Sequence, residues 1–130
     1  MKKFLLPLSL WHFVSILFAQ SGSWEWVNGS SSTYGYAVYG TMGVASVNNT
    51  PISMFEMTNW IDQQGNFWIF GGQDSSGQSI WGDLWKYDPV ANEWTWMKGS
   101  NTVGAADVYG TIQVPATSNT PGGRCEGNDD

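Results

Sequence analysis

The chain is poor in the residues that usually do chemistry. Its 130 residues include one cysteine, Cys125, and one histidine, His12. A lone thiol cannot close an internal disulfide, so cysteine usage does not identify a compartment. Charge is scarce too: 12% of residues are charged, five are basic, and the net charge is −6. Such an acidic surface repels phosphate backbones, and no basic run is present to hold anionic lipid. Nucleic acid is therefore not expected as a partner. Helical periodicity is also missing, because residues 66–97 never keep apolar side chains at helical spacing for ten or more positions.

What the chain has instead is aromatics and glycine. Aromatic residues make up 15% of it and there are sixteen glycines, a composition that fits a β-rich globular chain rather than disorder; with the strand pattern of residues 66–97, the expected class is all-β. Phe67 to Phe70, Leu84 to Tyr87 and Trp94 to Met97 are short apolar runs separated by Gly71-Gly72 and by Asp88-Pro89-Val90-Ala91-Asn92-Glu93. Those separators are turn signals between strands, and the aromatic and β-branched residues suit pleated, half-buried surfaces.

Lys2 and Lys3 precede an apolar run from Phe4 to Ala19, and small polar residues follow. This is the layout of a secretory signal peptide, expected over residues 1–19 with cleavage after Ala19, Ser21 being a second candidate. An uncleaved signal anchor is the alternative, but Pro7 and His12 interrupt a run that is short for a span of about 20 residues. No later stretch is apolar enough to cross a bilayer. A secreted product with no membrane contact after cleavage is expected, and Asn28 and Asn48 then become glycosylation acceptors if the host glycosylates. Cleavage also removes His12, leaving no imidazole for zinc or copper and no Ser-His-Asp or Cys-His engine.

Sliding the chain on itself by about 70 positions gives an ungapped match. Trp24, Trp26, Gly29, Ser30, Val38, Tyr39, Gly40, Thr41, Val44, Asn49, Thr50 and Pro51 recur as Trp94, Trp96, Gly99, Ser100, Val108, Tyr109, Gly110, Thr111, Val114, Asn119, Thr120 and Pro121. Two aligned W-x-W pairs are hard to attribute to composition. Residues two apart in a strand share a face, so both indoles of each pair can bury against a neighbouring sheet. Each removes about 150–250 Å² from water, roughly 4–6 kcal/mol of gross burial as an upper bound.

Between the copies, residues 54–61 and 66–70 flank Asp62-Gln63-Gln64-Gly65 and are expected to pair as a hairpin. Residues 84–87 and 93–98 flank Asp88-Pro89 and form a second. Asp83 is expected to cap the strand that follows it, and residues 23–27 to form an orphan outer strand.

This layout, with Gly71-Gly72 ending the second strand, Tyr87-Asp88-Pro89 ending the third and Trp94 and Trp96 in the fourth, resembles the kelch repeat. The closest likeness is to the long-period kelch-like repeats of secreted proteins, matched here by Asp83-Leu84-Trp85-Lys86, Gly99-Ser100, Val108-Tyr109-Gly110-Thr111 and Asn119-Thr120-Pro121-Gly122. The resemblance implies a β-propeller of the galactose oxidase central-domain type, with residues 20–130 as one fragment and 53–98 as its complete four-stranded blade. Two positions depart from it: Pro51-Ile52-Ser53-Met54 replaces Pro-Gly-x-Arg, and the residues after Arg124 are not an apolar strand. The sequence is thus expected to be a piece of a longer protein, or to need self-association, since repeats rarely bury their faces alone.

Glu56, Asp62, Asp74, Asp83, Asp88 and Glu93 show no spacing that selects a catalytic pair, and capping or solvated roles are expected. Asp74-Ser75-Ser76-Gly77-Gln78 lacks the rest of a calcium loop. Gly71-Gly72 is read as close backbone packing rather than a phosphate cradle. Trp68, Trp85, Trp94 and Trp96 are expected to be buried, while Trp60 and Trp81 near loop ends are the better candidates for exposure and sugar stacking. The expected function is a binding or scaffold module without catalysis or cofactor. Its partner would be a protein or carbohydrate, met by the loops at 74–80 and 101–107 around Asp74 and Trp81. The alternative is scaffold for a galactose-oxidase-like or carbohydrate-active enzyme whose catalytic residues lie elsewhere.

Overall fold

The structure, a computed structural model, describes residues 22–32 and 34–125. The expected signal peptide lies outside the described residues. Among these there is no helix, and hence none long and apolar enough to cross a membrane. The chain is all-β. Five strands, β1 (Met54–Phe55), β2 (Thr58–Ile61), β3 (Phe67–Asp74), β4 (Ile80–Asp88) and β5 (Glu93–Lys98), form one antiparallel sheet.

β1 and β2 both pair with the same edge of β3, Met54 opposite Asp74 and Thr58 opposite Phe70. The single strand expected over 54–61 is therefore broken. Glu56 at φ 56° turns the chain out of the pleat, a conformation that non-glycine residues seldom adopt, and pairing resumes two residues later. β3 pairs with β4 and β4 with β5, so the sheet is a four-lane meander spanning residues 54–98.

Both expected turns form. Asp62 Oδ1 accepts from the Gln64 and Asn66 amides at 3.0 and 2.9 Å, and Gly65 takes φ 85°. Asp88 Oδ1 accepts from the Val90 and Ala91 amides at 2.8 and 3.1 Å, and Asn92 takes φ 57°. A short side chain at the turn entrance thus satisfies the amides that the reversal strips from the ladder.

The register sorts the aromatics into two faces. Phe67, Tyr87 and Trp94 lie abreast, and so do Ile69, Trp85 and Trp96. On the other face lie Trp60, Trp68, Lys86 and Thr95. Trp94 and Trp96 do share a face, as their spacing requires. Trp85 is fully buried, with Trp94 packed edge-on at 6.4 Å and 87°. Trp68, Trp94 and Trp96 are only half-buried, short of the burial expected of them. Ile69, Trp85 and Tyr87 are the buried hydrophobic residues of the described chain. A core this small leaves most of both faces half-covered, as in repeat units that rely on neighbours.

Other expectations need correction. β4 begins at Ile80, not Leu84, so Asp83 caps nothing: it sits inside the strand and is fully buried. Trp81 does lie near a loop end, as the second residue of β4, but opposite Gly72 it is half-buried rather than exposed. Gly71-Gly72 does not end β3 but lies within it, at a register shift between Phe70 and Gly72. The reason is a crossing segment. Gly72 donates its amide to the Arg124 carbonyl at 2.7 Å, and Arg124 donates to Trp81 at 3.0 Å. Gly71 has φ 65°, and a Cβ there would collide with the Arg124 carbonyl oxygen. Close backbone packing is the role of this pair, in mid-strand rather than at a strand end. Finally, residues 23–27 form no strand, and Trp24 is wholly exposed.

Candidate functional site

Asp74, the last residue of β3, is absorbed by its own turn. Its amide donates to the Ser79 carbonyl at 3.0 Å, and its Oδ1 accepts from the Ser76 amide and hydroxyl at 3.0 and 2.5 Å. The Ser76 hydroxyl, then that of Ser79, holds the Asp74 carboxyl below the usual carboxylate range. That is turn chemistry. Among the described residues no three of His, Cys, Asp and Glu are grouped so as to hold a metal ion. The turn still borders a cleft of about 240 Å³, shared by Tyr34, Tyr36, Ile52 and Ser53, at the end of the sheet where residues 75–78 are exposed.

The carboxyls of Asp62, Glu56 and Asp107 lie apart from one another, Asp62 and Glu56 among neutral donors and Asp107 beside a cation. Asp62 Oδ2 accepts from the Trp68 indole at 2.8 Å and from the Asn66 side chain at 2.9 Å, bonds that pull its pKa down to about 2. Glu56 accepts from Gln73 at 3.0 Å. Asp107 is held low chiefly by the Gly122 amide, and it also meets Arg124 Nη2 at 2.8 Å.

Trp60 is the exposed aromatic that its position promised. It is 42% exposed and stacks on Trp68 at 5.7 Å and 8°. Trp81 does not present its ring in the same way, and its indole nitrogen is buried with no hydrogen-bond partner. Asn48 is exposed, whereas the Asn28 amide donates to Asn92 Oδ1 at 2.6 Å, so a glycan on Asn28 would forfeit that bond.

The best-built polar centre is one that spacing did not reveal. Fully buried Asp83 accepts through Oδ2 from the Tyr39 hydroxyl at 2.6 Å and from the Trp85 indole at 2.8 Å. The Tyr39 ring also packs on Trp85 at 5.1 Å and edge-on to Trp96 at 5.0 Å. Burial, then the bond to Asp83 and its charge, push the Tyr39 phenol well above the usual tyrosine range, so it acts as a fixed donor. The clue in the sequence was the recurrence of Tyr39 and Tyr109, which carried no information about their partner.

Tyr39 arrives on a compact loop over residues 38–51 that clasps the free edge of β5. Gly43 donates to the Trp96 carbonyl at 2.8 Å, and Ser46 donates to the Trp94 carbonyl at 3.2 Å. Buried Asn49 sends its side-chain amide to the Val44 and Trp94 carbonyls at 2.9 and 3.0 Å. These bonds cap a sheet edge that would otherwise be open for pairing. Beside it, residues 24–28 wall a cleft of about 620 Å³ against Phe67, Tyr87 and Trp94. The arrangement offers clefts and aromatic surface.

No protein-family model matches the chain, and searches of curated proteins and of solved structures gave no significant match.

Proposed function

We propose that this chain is a secreted module of the kelch-repeat, β-propeller type that binds or scaffolds a protein or carbohydrate partner and performs no catalysis of its own. One observation carries the reading. Loops 38–51 and 108–121, aligned by the 70-position repeat, take the same local fold, each closed by one bridge, Val38 to Thr50 and Val108 to Thr120. The first of them seals the outer edge of a four-lane meander, as a unit made to recur beside like units would. The small core and the uncovered aromatic faces support the same conclusion. Recognition falls to the exposed β3–β4 turn and its cleft with Tyr34 and Tyr36.

The test has two arms. A C-terminally tagged chain is expected in the culture medium of a secreting host, shortened by residues 1–19; retention in the cell with an intact N-terminus would contradict secretion. Immobilised wild type and a variant with Ser75, Ser76 and Gln78 replaced by glycine are then exposed to a polysaccharide array and to the host's extracellular proteins. A partner kept by wild type and lost by the variant at equal melting temperature supports the reading. Equal retention by both, or none by either, overturns it.

A further inference from the structure

The two repeat loops are alike inside and unlike outside. In the first, Val44 donates to Thr41 at 3.0 Å and Asn49 to Ser46 at 3.1 Å; in the second, Val114 donates to Thr111 at 3.0 Å and Asn119 to Ala116 at 3.1 Å. Gly40 and Gly110 share φ values of 61° and 63°, and Gly43 and Gln113 share 79° and 64°. Asn119 reaches Val114 at 3.2 Å, as Asn49 reaches Val44. A non-glycine residue at positive φ is held there only when the rest of the loop dictates it.

The outward groups of the second loop meet nothing equivalent to β5. Among the described residues, the Gln113 and Ala116 amides, counterparts of Gly43 and Ser46, make no backbone bond as donors. Tyr109, counterpart of the Tyr39 that is locked onto Trp85 and Trp96, is 70% exposed. Ile112 is 88% exposed, while its counterpart Met42 is 46% exposed and lines a cleft with Met97 and Lys98. Tyr109, Ile112, Val114 and Asn119 instead line an open, largely apolar groove of about 620 Å³.

The chain also carries the piece that such a groove accepts. The first loop holds the strand Trp94-Thr95-Trp96-Met97, and the aligned segment is Trp24-Glu25-Trp26-Val27. That segment makes no backbone hydrogen bond to another described residue, and Trp24, Trp26 and Val27 are 102%, 63% and 54% exposed. We propose that loop 108–121 of one molecule clasps segment 24–27 of a second copy, as loop 38–51 clasps β5 within one molecule. The Gln113 and Ala116 amides and the Asn119 side chain take the Trp26 and Trp24 carbonyls, and Ile112 lies against Val27.

The contact is head-to-tail, so a pair of copies keeps one open loop and one open segment between them, giving a chain of copies or a ring. The surface is small, so association is weak and concentration-dependent. The proposal draws on the equivalence of the two loops and not on the recognition turn, so the turn variant described above leaves it untouched.

Sedimentation velocity over a concentration series of the secreted full-chain product tests it. Wild type is expected to shift from monomer to dimer and larger species. Two variants are each expected to stay monomeric at an unchanged melting temperature: Trp24→Ala/Trp26→Ala, which lacks the segment, and Ile112→Glu, which spoils the groove. Mixed together, they retain one good loop and one good segment between them and are expected to double in mass and grow no further. A monomeric wild type, an oligomer that survives in either variant, or a mixture that stays monomeric would each overturn the proposal. The first result would leave the groove to another occupant, such as a further W-x-W strand of a longer chain; the last two would place self-association on a different surface.

Discussion

Tyr39 and Tyr109 occupy the same place in two copies of one loop, yet they should differ sharply in what their hydroxyls contribute. Replacing Tyr39 with Phe deletes the 2.6 Å donor to Asp83 and leaves that fully buried carboxyl with the Trp85 indole alone, its Oδ1 already lacking a partner. Hydrogen bonds to a buried carboxyl are worth about 1.5–3 kcal/mol, so Tyr39→Phe should cost about 2 kcal/mol. At about 4–8 °C per kcal/mol for a domain of this size, the melting temperature should fall by roughly 8–16 °C. Tyr39→Ala also loses two aromatic contacts, at 5.1 and 5.0 Å, each worth about 0.5–1.5 kcal/mol, for a total of about 3–5 kcal/mol. Tyr109→Phe removes an exposed hydroxyl whose partner is Arg124 at 3.2 Å, and should stay within about 0.5 kcal/mol of wild type. Urea denaturation followed by tryptophan fluorescence reads all three. If Tyr39→Phe matched wild type, or Tyr109→Phe cost as much as Tyr39→Phe, the buried centre would not be the anchor of the clasp.

The same phenol gives a pH dependence. Its pKa is raised in the fold, so its stabilisation is fully present below the unfolded value near 10 and is lost as pH rises beyond that. Urea midpoints should therefore fall as pH rises above about 10 in wild type and in Tyr109→Phe, and stay flatter in Tyr39→Phe, which is less stable throughout but lacks the titrating hydroxyl. Asp62 behaves in the opposite sense: its pKa is lowered to about 2, so its contribution is present above about pH 4 and fades as pH falls toward 2. Urea midpoints should fall over that window in wild type and stay flatter in Asp62→Asn. Gly71→Ala should be severely destabilising, because φ 65° and the Arg124 carbonyl both oppose a Cβ. Gly65→Ala, at φ 85° with open space around it, should cost about 1 kcal/mol. Comparable melting temperatures for these two alanine variants would refute the crossing at Gly71.

Several features were readable from residues because their causes are local. Asp62 and Asp88 bond the amides of their own turns, and that geometry needs nothing from outside the turn. The W-x-W face follows from the two-residue pleat alone. Where the reading failed, the deciding atom lay far along the chain. Arg124 crosses β3 at Gly72, which is why the glycine pair is a mid-strand bulge rather than an end. Tyr39 reaches Asp83 from 44 residues away, which is why a residue resembling a strand cap became a buried acceptor. Residues 23–27 carry the same W-x-W signal as β5, yet they meet no pairing edge and form no strand.

By itself, the order of residues determined the all-β character, the turns, the sidedness of the aromatics and the existence of a repeat, since each follows from spacing within a few residues or from identity between copies. Only the tertiary structure decided which copy of the loop is seated and which stays open. Two segments with the same intrinsic fold differ in whether an edge strand lies within reach, and that depends on where the rest of the chain places its unpaired carbonyls.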